Sequence, residues 1–305
     1  RQPLSTGYST MWTNFGHVTN KGFEFTANVV AIDNKDWGLN FDGNISFNQN
    51  RIGGLNADQY ATQLWYGANE VFLQRNGLPI GTIYGYVEDG FYDNIAEVRA
   101  DPIYSKVSKE EAQRMIGEIK YVDRNGDNQI TTEDRAVIGD TNPDFIYGLN
   151  ANFRWKKLSL GLFFQGSQGN DIFNGNLTMI GMNSIGNVTR EAYENRWTPE
   201  NAANAKWPRI TTAMTRDMKL SDRYVEDGSY FRLKTINLSY NFGSVCKGIT
   251  DLSVFGTITN VFTLTNYSWF DPDVNAFGSD ASRRGVDIFS YPNSRTYTIG
   301  FKLTL

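Results

Sequence analysis

The run Phe145-Ile146-Tyr147-Gly148-Leu149-Asn150-Ala151-Asn152-Phe153-Arg154-Trp155, followed after Lys156-Lys157 by Leu158-Ser159-Leu160-Gly161-Leu162-Phe163-Phe164, decides the fold. Apolar side chains recur at every second position, and a period of two puts successive side chains on opposite faces of a β-strand. The same pattern extends in both directions along the chain. Phe23, Phe25, Ala27 and Val29 alternate with Glu24, Thr26 and Asn28, and Leu39, Phe41, Ile45 and Phe47 alternate with Asn, Asp and Ser. Further on come Ile236, Leu238, Tyr240 and Phe242, and finally Tyr297, Ile299, Phe301, Leu303 and Leu305.

Alternation is shared by soluble β-sandwiches and membrane barrels. Three features favour the barrel. The runs are about ten residues or more, the length of a tilted membrane strand. Aromatics gather at their ends, as at Trp37, Trp155, Tyr240, Phe242, Trp269 and Phe270, where an interface between hydrocarbon and water takes rings. The connections also alternate in length. Asn34-Lys35-Asp36, Lys156-Lys157 and Gly243 to Ile249 are turns, whereas Arg51 to Asp144, Gln168 to Gly228 and Thr265 to Asn293 far exceed the usual loop. Short turns on one side and long loops on the other describe an outer-membrane barrel. The expected fold is therefore all-β: about eight strands of a large antiparallel transmembrane barrel, beginning with a weakly patterned strand near Tyr8 to Phe15. With the C-terminus in the periplasm, parity puts every long loop outside, provided that Tyr84 to Tyr92 belongs to the first loop and not to the wall.

Composition excludes several alternatives. The chain has 305 residues, 40% hydrophobic and 20% charged, so it can build a core and is not disordered. Lys plus Arg number 29 and Asp plus Glu 33, a formal charge of −4, which argues against nucleic acid as a partner. A mean hydropathy of −0.44 and the lack of an apolar run near 18 residues exclude spanning helices. One cysteine, Cys246, allows no internal disulfide, and one histidine, His17, removes most catalytic designs. The chain opens on Arg1-Gln2-Pro3 without a leader and reads as a fragment or processed product.

The sharpest motif is Asp123-Arg124-Asn125-Gly126-Asp127-Asn128-Gln129-Ile130-Thr131-Thr132-Glu133-Asp134. Oxygen ligands at loop positions 1, 3, 5, 7, 9 and 12 wrap a hard cation, and Asp123, Asn125, Asp127, Gln129 through its carbonyl, Thr131 and Asp134 occupy them. A structural Ca²⁺ is the expectation, and an Asn/Asp turn without metal the alternative. Gly126 at position 4, Asn128 at position 6 and Asp rather than Glu at position 12 depart from an EF-hand; Asn tolerates the positive φ of the turn. Elsewhere, Ser108 followed by Glu110 and Glu111 reads as a helix cap rather than a catalytic carboxylate pair. Gly166, Gly169 and Gly175 read as a loop without phosphate-binding context. Glu24, Asp42 and Arg154 fall on the polar parity, where they either line a solute path or are merely solvated.

Several segments together resemble the C-terminal half of SusC/RagA-type TonB-dependent transporters. They are Asn20 to Phe25, Gly81 to Gly90, Tyr121 through the calcium-type loop to Gly139, Asn142 to Gly148, Arg196 to Asn201, Val225 to Lys234 and Asn260 to Tyr267, in family order over the full chain. The terminus Leu303-Thr304-Leu305 departs from the aromatic ending of many outer-membrane barrels. The resemblance implies that residues 1–305 are the later part of a 22-stranded plugged barrel, with 51–144 a long extracellular loop holding the calcium-type site and the plug upstream. It implies a Gram-negative outer membrane, a SusD-like surface lipoprotein as lid, energy from the TonB complex, and import of oligosaccharides or oligopeptides without covalent chemistry. Trp65, Tyr66, Trp207 and Trp269 are candidates for stacking on sugar rings, and equally for packing against the lid or flanking a peptide. The competing reading is a soluble extracellular β-rich module, calcium-stabilised, for carbohydrate binding or adhesion; a glycan hydrolase is disfavoured because no acidic pair stands at strand ends.

Overall fold

The computed structural model describes residues 16–61, 70–180, 187–211 and 218–305. Seven long strands form one antiparallel sheet: β1 (His17–Asp33), β2 (Trp37–Gly53), β3 (Phe145–Trp155), β4 (Leu158–Gln168), β5 (Tyr230–Gly243), β6 (Asp251–Thr265) and β7 (Thr296–Thr304). Each is hydrogen-bonded to its predecessor, so sheet order follows chain order. The expected strand near Tyr8 to Phe15 lies outside the described residues.

The alternation of the sequence becomes continuous rows across the sheet. Val29, Phe41, Ala151, Leu162, Ile236, Ile258 and Tyr297 stand side by side over all seven strands. One step away, on the opposite face, the row reads Val30, Asn40, Asn152, Gly161, Asn237, Thr257 and Thr298. A one-residue slip would exchange the two sets. Where an odd-numbered run gives way to an even-numbered one, the register shifts: between Val30 and Ile32 in β1, and between Leu233 and Thr235 in β5. These bulges keep Leu233 and Ile236 on the same face.

That face is uncovered. Phe23 and Phe25 in β1 are 63% and 60% exposed, and Ile299 and Phe301 in β7 are 87% and 73% exposed. An apolar surface of this extent on a seven-stranded sheet has no place in water. It is bounded by rings at both ends. At the turn end Trp37 stacks on Trp155 with centroids 5.7 Å apart, in the row that continues through Leu158, Tyr240, Val254 and Phe301. At the other end Phe47 lies between Phe23 and Phe145, and Phe231 between Phe164 and Phe262. From Trp37 to Phe47 the strand rises roughly 33 Å at about 3.3 Å per residue. Tilted by about 40°, that is an apolar band about 25 Å tall, the height of the hydrocarbon layer crossed by outer-membrane strands. The sheet is part of the wall of a transmembrane β-barrel, and no helix among the described residues is long and apolar enough to cross a membrane.

The turns form for local reasons. Asn34 Oδ1 accepts the backbone N–H groups of Asp36 (3.1 Å) and Trp37 (2.8 Å), the Asx turn that Asn favours. Lys156 takes φ of +52° to close the two-residue β3–β4 turn. Cys246 is exposed in the β5–β6 turn. Trp269 and Phe270, expected at a strand end, lie instead beyond Thr265, where β6 has ended. Gly166, read from sequence as loop, is in β4: a Cβ there would come within 2.3 Å of Tyr147 Cζ, so the cross-strand ring requires glycine.

Three long connections, 54–144, 169–229 and 266–295, emerge from the same end of the sheet. The segments 82–85 and 88–91 belong to the first of them and pair within it, not with the wall.

Candidate functional site

The connections fold into a common cap with its own core. Val71, Phe72 and Ile83 from the first, Phe173 and Tyr224 from the second and Val286 from the third pack as one buried cluster. Partly buried Ile138, Leu177, Leu220, Phe277 and Ile288 surround it. Burying one such side chain is favourable by about 1.5–3 kcal/mol, which offsets the ordering of otherwise long loops. A smaller cluster of Tyr92, Val98, Ala112 and Met115 closes the two short helices Ile95–Ala100 and Lys109–Met115. The second of these is capped by Ser108, whose Oγ accepts Glu111 N–H at 3.0 Å, so Glu110 and Glu111 are first-turn acids as the sequence indicated.

Polar joints tie the connections to each other. Residues 171–174 pair antiparallel with 225–227 and parallel with 286–287, joining the second connection to the third. Tyr86 bridges to Ser221, and Glu88 pairs with Arg223 in a half-dry contact that also takes the Ser221 hydroxyl. Within the third connection, Tyr267 donates from its hydroxyl to Asp287 Oδ2 at 2.7 Å, and burial together with that carboxylate drives the phenol pKa far up. Burial pushes Tyr224 up to about 12. Neither phenol ionises at physiological pH, so both act as packing groups and donors.

The calcium-type loop closes on itself. Asp123 accepts from Gly126 N–H (2.7 Å) and Asn128 N–H (2.8 Å), and Asn128 takes the positive φ, +63°, that the sequence allowed. Asn125 Nδ2 donates to Asp127 Oδ2 at 3.1 Å, and Asp127 Oδ1 accepts Gln129 N–H at 2.8 Å. Asp134 is fully buried: it accepts the backbone N–H groups of Thr131 and Arg124, and those bonds outweigh burial and hold its carboxyl below the usual range. Thr131 in turn caps the 132–134 turn. Asp123, Asn125 and Asp127 therefore share the exposed rim while Asp134 points at backbone, and no three acidic, His or Cys side chains among the described residues are gathered as a metal cluster. The donor types suit a hard cation, and each carboxylate oxygen that takes one N–H keeps a further lone pair.

The aromatic candidates separate. Trp65 and Tyr66 lie outside the described residues. Trp207 is only 5% exposed: its Nε1 donates to Glu191, and Arg223 lies 5.4 Å from its ring. Most of its ring is used in packing. It borders a cleft of about 450 Å³ with Glu88, Glu191, Arg223, Glu226 and Ser268 as neighbours. Trp269 is half-buried against Phe270, at 5.2 Å. On the polar face of the sheet, Glu24, Asp42 and Arg154 occupy the positions expected of them, and Arg154 reaches Asp33 at 3.2 Å.

One residue was missed. Arg232, in β5 on the polar parity, is 1% exposed and ion-paired with Asp271 at 2.5 Å. A charged residue inside an alternating run was the available signal, and its partner 39 positions away was not readable.

No protein-family model matches the chain. A TonB-dependent receptor of Formosa agariphila is 33% identical over 313 residues, covering 99% of this chain and 30% of the relative. The TonB-dependent receptor SusC of Bacteroides thetaiotaomicron is 25% identical over 311 residues, again 99% of this chain. Over nearly its whole length the chain is similar to TonB-dependent receptors, SusC among them. The RagAB peptide transporter superposes with a TM-score of 0.70 at 21% identity, covering 99% of this chain and 31% of that one, a likeness of fold. The chain spans about a third of the length of the relatives it matches. Those relatives are receptors and transporters by name, not enzymes.

Proposed function

We propose that this chain supplies the later wall and part of the extracellular mouth of an outer-membrane active transporter that imports nutrients. The observation that carries this is the uncovered apolar band bounded by aromatic rows, backed by a polar inner face. In this reading the turns face the periplasm, the cap faces outward, a SusD-like lipoprotein closes over the cap, and TonB supplies the energy through a plug. Glycans and oligopeptides are the two substrate classes; RagAB, which shares the fold, is a peptide transporter. Deleting the gene should abolish growth on one oligomer class in a TonB-dependent manner and leave growth on its monomers unchanged. Retained uptake in the deletion strain, or uptake independent of TonB, would sink the proposal.

The 123–134 loop is proposed to take Ca²⁺ through Asp123, Asn125, Asp127, the Gln129 carbonyl, Thr131 and Asp134. Its support is the donor set and the turn closed by Asn128. Chelation, or Asp123→Ala with Asp127→Ala, should speed protease cleavage in the first connection and weaken co-purification of the lipoprotein without unfolding the barrel. If cleavage and co-purification are both unchanged, the site does not hold a structural cation.

A further inference from the structure

Arg232 sits near the cap end of β5 in the polar row Thr26, Asn44, Gly148, Gln165, Arg232 and Thr263. At the same level on the apolar side, Phe262 and Leu264 are 40% and 62% exposed, against 1% for Arg232. Whatever covers Arg232 therefore covers the polar side only, and the contacts identify it as the third connection. The guanidinium reaches Asp271 at 2.5 Å, donates from Nε to Thr263 Oγ1 at 2.9 Å and lies 5.0 Å from the Tyr230 ring.

Asp271 gathers both limbs of that connection. Its Oδ1 accepts Asp273 N–H at 2.9 Å, and its Oδ2 accepts Asn293 Nδ2 at 2.6 Å, 22 residues along the chain. Arg232 Nη1 has no hydrogen-bond acceptor among the described residues, and Asp273 Oδ2, on a half-exposed side chain, stands 3.8 Å away. A desolvated ion pair adds little net stability, because removing two charges from water costs about what their attraction returns. What it supplies is a fixed position, and here that position is a loop folded inward.

The geometry points to a releasable pin: the third connection is a strap lying over the inner side of the barrel mouth, held by Arg232 and Asp271, with Asp273 as the second carboxylate able to take the guanidinium when the strap moves. The inner side is inner only if the sheet is a barrel wall, so this rests on the transporter reading. The strap has two kinds of attachment. Val286 anchors it in the cap core, whereas near 271 and 293 the links described above are polar. Loss of the pin should free the second kind and spare the first.

Hydrogen exchange of the full-length receptor in detergent tests this with Asp271→Asn and Arg232→Met. Amides of 268–274 and 290–294 should exchange at least tenfold faster, while 171–174, 225–227 and 286–287 keep their protection. Asp273→Asn should leave the pinned state as protected as the parent. Unchanged exchange in both pin variants, uniform loss of protection across the cap, or equal acceleration by Asp273→Asn would each overturn the pin. Fractionation of the same proteins with the outer membrane reports separately on the barrel: a receptor recovered in the soluble fraction overturns the transporter reading, whatever the exchange result.

Discussion

Ile299 and Phe301 in β7 are 87% and 73% exposed, whereas Phe72, Phe173 and Val286 in the cap are buried to within 1%. Both regions carry large apolar side chains, and they differ in solvent. The sheet turns its apolar residues outward because hydrocarbon, not water, surrounds them, and its backbone groups are paired strand to strand. The cap is in water and follows the ordinary rule: six residues from three connections meet in one core, and polar joints at the seams tie the segments together. Apolar side chains thus hold the cap together by mutual burial, while in the sheet they hold the protein in its medium.

Substitutions separate these roles, starting with the largest effect. Phe173→Ala removes the centre of the cap core and should cost about 3–5 kcal/mol locally. Protease cleavage of the connections should rise sharply while the receptor still fractionates with the membrane; loss of membrane assembly would erase the distinction between the regions. Ile236→Arg places a charge midway along the apolar band and should destabilise the wall by about 2–4 kcal/mol, read as a lower urea midpoint in vesicles. Asn237→Arg, one residue away on the polar face, should shift that midpoint far less, and equal shifts would break the two-faced assignment. Tyr267→Phe leaves Asp287 buried without its hydroxyl donor and should loosen the third connection around 286–287, where it pairs with the second, by about 1–3 kcal/mol, seen as faster amide exchange at 286–287.

The smallest effect concerns pH. Burial raises the Asp171 carboxyl above its ordinary value against the hydrogen bond from Asp140 N–H. A carboxyl raised by folding contributes stability that is present below its unfolded pKa and is lost as pH rises through the folded one. Asp171→Asn should therefore stabilise the cap slightly at neutral pH and make no difference below the carboxylate range. A gain that persists in acid would assign the effect to packing.

The alternation at 145–164 and its repeats carried the strands, their two faces and the three turns, because strand period and side-chain direction are local properties. Asn128 and Ser108 were legible for the same reason: a left-handed turn and a helix cap involve residues within a few positions. The position of Gly166 was not, since the Tyr147 ring that demands it lies on the neighbouring strand. Between stacking and packing the sequence could not choose for Trp207, because it does not report that Glu191 and Arg223 close around it. The Arg232 pin joins residues 39 positions apart, and the cap core joins residues from 71 to 286. Sequence alone determined that this chain is a two-faced β-wall with three long connections, since each strand carries its own pattern. Only the tertiary structure decided that those connections form one cap with a strap folded inward, because which loops meet depends on where the strands stand in the sheet.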